Sequence, residues 1–95
     1  MDRGTAPQMR TGYELLSHWI RPERIYPGDP NACITGTGIS VWAIVGHWSY
    51  GECNAEATAR AYGIEVEAVQ AAIQYYRLHR DLIDARLAAN DASPD

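Results

Sequence analysis

The chain is 95 residues long, room for one small domain, and its balance of 46% hydrophobic to 21% charged residues is that of a folded globular chain rather than a disordered one. Its eight basic residues are all arginine and face twelve acidic ones, and the resulting charge of −4 argues against a free-standing nucleic-acid binder, whose affinity rests on neutralising phosphates. No stretch approaches the roughly 20 apolar residues of a membrane span. The start MDRGTAPQMR has no apolar signal core, and Cys33 and Cys53 are too few for a disulfide scaffold. The expected setting is therefore cytoplasmic, with the cysteines as small buried residues.

Residues 1–10 are polar and aperiodic and are expected to be loose. Over 13–20, Tyr13, Leu15, Leu16, Trp19 and Ile20 fall at helical spacing, Thr11 can cap the start, and Pro22 argues for a stop. The segment 24–40 holds prolines and glycines that exclude a helix. Its Ile25, Cys33, Ile34 and Ile39 suit a short β-hairpin arm turning at 28–30. Two strands alone are marginal, so the arm is expected to pair with a second copy and give a two-fold homodimer.

A second helix is predicted over 41–50, with Ser40 as N-cap and Gly51 as its end. Asn54 caps a third, AEATARAY, which Gly63 closes. A fourth begins near Glu65 and either continues to Ala89 or breaks near His79. Its core stripe reads Val66, Val69, Ile73, Tyr76, Ile83 and Leu87, and a second apolar row, Tyr75, Leu78 and Leu82, asks for another surface. Residues 90–95 are expected to fray. The whole reads as a mainly α fold over 11–89, a helix-turn-helix bundle with an N-terminal helix and a β-hairpin arm.

The junction of the last two helices carries the most information. Ala59, Gly63 and Val69 stand at the spacing of a helix-turn-helix: a small residue for close approach, a glycine for a left-handed turn, and an aliphatic plug. An ordinary helical hairpin uses similar residues. If DNA is read, Glu65, Glu67, Ala68, Gln70 and Gln74 face the groove, with Arg60 nearby. From 28 to 75, however, Arg60 stands alone against Asp29, Glu52, Glu56, Glu65 and Glu67, so the acidity lies in this motif and the arginines flank it.

Three blocks taken together resemble the bacterial family catalogued as domain of unknown function 433. They are ITGTGISVW at 34–42, Gly51 followed by the helix-turn-helix, and AAIQYYRLHRDLID at 71–84. The resemblance spans about 24–87. It implies a homeodomain-like helical fold with an N-terminal β-arm, and a role as a VapB-like antitoxin paired with a PIN-type ribonuclease toxin, sometimes regulating its own promoter. One position departs: where the family pattern I-x-G-T-R-I has arginine, this chain has Gly38.

Catalysis is not indicated. Cys33, His47 and Cys53 lack metal-ligand spacing, no serine has a histidine and carboxylate at recognisable spacing, and Gly36–Thr37–Gly38 precedes no basic helix. No cofactor is expected. A PIN-type nuclease holds its metal with carboxylates, and an arginine placed beside them forms bidentate charged pairs. Tyr75, Arg77, Leu78, Arg80, Leu82 and Arg86 are the expected toxin-binding residues. The plainer alternative pairs Arg77 with Asp81, and Arg80 with Asp84, on a solvated helix. A stand-alone DNA-binding regulator and a protein-interaction adaptor are the other two functional readings of the same scaffold.

Overall fold

A computed structural model describes residues 11–91 of the chain. The loose ends expected at 1–10 and at 92–95 lie outside the described residues. Three of the helices begin where a side chain or a proline spares the first amides. Thr11 opens α1 (Gly12–Trp19) with a reciprocal pair: its Oγ1 accepts from the Glu14 amide at 3.1 Å, and Glu14 Oε1 accepts from the Thr11 amide at 2.9 Å. The first helix stops before Pro22, as expected, and Pro22 also starts the single turn α2 (Pro22–Ile25), because its fixed φ and missing N–H suit the first helical position.

The helix α3 (Val41–Tyr50) follows Ser40 and closes at Gly51, whose amide donates to the His47 carbonyl at 3.0 Å. Asn54 Oδ1 accepts from the Ala57 amide at 2.9 Å and so caps α4 (Ala55–Tyr62). The last helical stretch is two helices, α5 (Val66–Leu78) and α6 (Arg80–Asp91), parted at His79. Asn90 and Asp91, expected to fray, continue α6.

The β-hairpin arm does not form as expected. Between 24 and 40 the described residues hold one isolated antiparallel bridge, Cys33 with Ser40. It is flanked by hydrogen bonds from the Ile34 amide to the Ile39 carbonyl and from the Val41 amide to the Ala32 carbonyl, both 2.9 Å. Neither side can lengthen. Asp29 Oδ1 draws the Asn31 amide into a turn at 2.8 Å, and α3 begins at Val41. The segment also points inward, with Ile25, Ala32 and Ile34 buried in the core. Self-association by strand pairing thus has no strand among the described residues on which to build.

At the centre lies α5, against which α1, α3, α4 and α6 all pack. It buries Ala68, Val69, Ala71, Ala72, Ile73 and Tyr75, and the three alanines let neighbouring axes come close. Across the α4–α5 turn, Gly63 takes a left-handed φ of +67° that a side chain would strain, and the Ile64 amide donates to the Ala59 carbonyl at 3.0 Å. Ala59 and Val69 are both buried at this corner.

Tyr75 and Tyr76 exchange their expected places. Tyr75, read as an outward row, is fully buried. Its hydroxyl donates to the Arg24 carbonyl at 2.6 Å and accepts from the Asp29 amide at 2.7 Å. One turn on, His79 Nε2 donates to the Ile25 carbonyl at 2.6 Å. The two side chains hold the backbone of 24–29 against the end of α5. Tyr76, read as core, is half-exposed.

Two outcomes follow for stability. Tyr75→Phe strands the Asp29 amide and the Arg24 carbonyl, and is expected to cost about 1–3 kcal/mol in urea unfolding. Burial pushes the Tyr75 hydroxyl above its ordinary 10.0, outweighing the Asp29 amide bond that lowers it. A raised folded value means this contribution is complete below pH 10.0 and is lost as pH rises through the folded value. The urea midpoint should therefore fall above that pH, and fall less steeply in Tyr75→Phe; equal alkaline slopes would contradict the assignment. Separately, Cys53 holds a left-handed φ of 54° without being glycine, its amide donating to the Trp48 carbonyl at 3.2 Å. Cys53→Gly is expected to raise stability by about 0.5–1 kcal/mol, read from the same unfolding curves.

Candidate protein-binding site

The break at His79 turns the chain at the end of α5 and opens an exposed groove of about 660 Å³ at the joint with α6. Pro27 forms one side; Arg77, Leu78, Arg80, Leu82 and Ala85 line the rest with His79 and Asp81. Four of the six residues expected to bind a partner therefore share one surface: Arg77, Leu78, Arg80 and Leu82. Leu78 is 40% exposed, unusual for a leucine so close to a packed core, and Tyr26 beside Pro27 is 61% exposed.

The other two expected residues are elsewhere. Tyr75 is a buried clamp and is unavailable to a partner. Arg86 lies over the Trp42 ring with its Cζ 4.3 Å from the centroid, and its Nε donates to Asn31 Oδ1 at 3.5 Å. The reasons are contacts distant in sequence: the turn at 24–29 draws Tyr75 inward, and the Trp42 ring and Asn31 hold Arg86.

Among the described residues neither Arg77–Asp81 nor Arg80–Asp84 closes into an ion pair; those found are Arg21–Glu23 and Arg24–Asp29. Arg80 instead stacks over the Tyr76 ring at 4.9 Å, and the Tyr76 hydroxyl donates to Asp84 Oδ1 at 2.8 Å. That carboxylate, accepting the hydroxyl proton, holds Tyr76 above its ordinary value. Arg77 is left exposed at the groove. Sequence reasoning missed Pro27, Tyr26 and His79 as parts of this surface. The only signal was Tyr-Pro-Gly punctuation, which marks a turn without saying what the turn meets.

The residues expected to read DNA are not gathered on one free face. Arg60 and Glu65 are exposed and Gln70 is half-buried. Ala68 is fully buried against the core, which corrects its assignment as a contact residue. Glu67 Oε1 accepts from Trp19 Nε1 at 3.0 Å. Gln74 abuts α1 so closely that a Cβ on Gly12 would stand 2.7 Å from its amide nitrogen. The helix α1 therefore lies over the face of α5 that a major groove would need.

Gly38 has a left-handed φ of +71° and borders a shallow cleft with Arg21 and Arg24. The backbone there suits glycine; an arginine, as the resemblance expects, would be strained in this conformation. Cys33 and Cys53 are exposed, not buried as expected, because one stands in the bridge and the other in the α3–α4 turn. Among the described residues no three His, Cys, Asp or Glu side chains come together as a metal site. No described helix is long and apolar enough to cross a membrane.

Comparison with known proteins finds no match among curated proteins or solved structures. A protein family described as protein of unknown function (DUF433) matches residues 23–76. The match runs from α2 to the end of the Tyr75–Tyr76 pair, so it takes in the clamped turn and the α4–α5 corner and stops short of His79 and α6. It covers more than half of the chain, and the chain belongs to the DUF433 family.

Proposed function

We propose that this chain is a non-catalytic, antitoxin-like protein of the cytoplasm that neutralises a PIN-type ribonuclease toxin by direct binding, through the groove at the α5–α6 joint. The observation that carries this reading is the exposed Leu78 beside Pro27 and Leu82, bordered by Arg77 and Arg80. Apolar surface with arginine at its rim is the composition of a protein-binding patch. Arg77 is the guanidinium placed to reach a carboxylate of the nuclease's metal cluster, where a bidentate pair competes with the metal. In this reading α3, α4 and α5 form a homeodomain-like unit, and the Ala59–Gly63–Val69 corner is its helix-turn-helix.

That corner would also serve a DNA-binding regulator, but the acids of α5 and the seat of α1 upon it speak against reading bases there. The experiment is inhibition of the nuclease encoded in the adjacent reading frame, measured with purified protein. Leu78→Asp combined with Arg77→Ala is expected to weaken inhibition at least about tenfold, the scale of an interface anchor. Because Arg77 is exposed and Leu78 partly so, the unfolding free energy should change by less than about 1 kcal/mol. Full inhibition by the folded double variant would overturn the proposal. A salt-dependent gel shift on the upstream DNA, lost in Arg60→Ala, would replace it with the regulator reading.

A further inference from the structure

We infer that a second, separate cleft, between the side of α3 and the last described residues of α6, receives a cationic side chain, arginine or lysine, of a bound protein. The cleft holds about 240 Å³, room for one side chain. Its walls carry the rings of Trp42, Tyr50 and Tyr62, with His47 edge-on to Tyr62 at 5.5 Å. Asp91 supplies the one carboxylate in its lining. Aromatic rings and a carboxylate around one small space suit a cation, since a ring's quadrupole is negative on its face.

The backbone adds to the same sign. The helix α3 ends at Tyr50, a lining residue, so its carbonyl end lies at one side of the cleft. Helix C-termini favour cations. Here the last turn of α3 holds only His47 as a basic residue. Asp91 is oriented for the role: its Oδ2 accepts from the Tyr50 hydroxyl at 3.1 Å, and its second oxygen has no partner among the described residues. Tyr50, 75% exposed, stands at the rim. Trp42 already attracts one guanidinium, that of Arg86, which lies over its ring and does not line the cleft.

The site does not depend on the groove at the α5–α6 joint, and either can fail without the other. The test is a titration of the whole chain with argininamide, followed by amide shifts of Ala43, Gly46 and Tyr50, with the uncharged isostere citrullinamide in parallel. Saturable shifts confined to these residues, with argininamide only, are expected. Asp91→Asn and Tyr50→Ala should each weaken binding about threefold to fivefold, the scale of an exposed cation–aromatic contact. Both positions are exposed, so both variants keep the fold. Equal response to the two probes, absence of saturation, or unchanged binding by Asp91→Asn would overturn the inference.

Discussion

The hydroxyl of Tyr75 is the contact on which the arrangement of the chain depends. It closes the backbone of 24–29 from both ends, giving to Arg24 and taking from Asp29, while His79 holds Ile25 between them. A turn built on Tyr-Pro-Gly-Asp-Pro has no ladder of its own to fix it. Two side chains from one helix do what a strand partner would otherwise do. The same contacts set Ile25 into the core and carry the chain onward so that Ala32 and Ile34 can follow. They also place His79 where α5 must stop, for a ring turned to the Ile25 carbonyl sits at the hinge between α5 and α6.

Such a clamp has a functional consequence because it completes the enclosure of α5. With α1, α3, α4, α6 and the 24–29 turn all against it, the helix that a helix-turn-helix would present to DNA is the most enclosed element of the molecule. An alanine-rich helix suits that place: it costs little to bury and lets four neighbours approach. What such a core leaves for recognition is its margins, the joint at His79 and the meeting of α3 with α6. At the first of these a helix stops, so carbonyls there lack the partners that a continuing helix would give them.

Much of the local punctuation was legible in the sequence because it is local chemistry. Thr11, Ser40 and Asn54 stand before helices, and Gly51 and Gly63 close them, since each acts on amides or carbonyls within four residues of itself. The failures all involve distance. Tyr75 and Tyr76 are the same residue type, about 100° apart around the helix, and the turn at 24–29, some fifty residues earlier, supplies the partners that bury the first. The β-hairpin arm was read from residues that do favour strands, but its length is set by the Asn31 turn and the start of α3. The groove was half-legible. Leu78 and Leu82 stood out as apolar residues without a partner, whereas Pro27 reaches them only through the clamp.

The lysine-free composition has a structural use. A guanidinium is planar and stacks on rings in a way an ammonium does not, and the chain exploits this twice, Arg80 over Tyr76 and Arg86 over Trp42. Arg24 is committed to Asp29 and Arg21 stands beside Glu23. Of the described arginines, Arg60 and Arg77 keep neither ring nor acid, and they stand on different helices, near the ends of α4 and α5. A phosphate backbone is gripped by several free cations spread along one face, since each neutralised phosphate adds a similar increment. Two isolated guanidinium groups do not make such a face. One of them beside exposed leucine suits the rim of the protein contact proposed above, and the acidic balance points the same way.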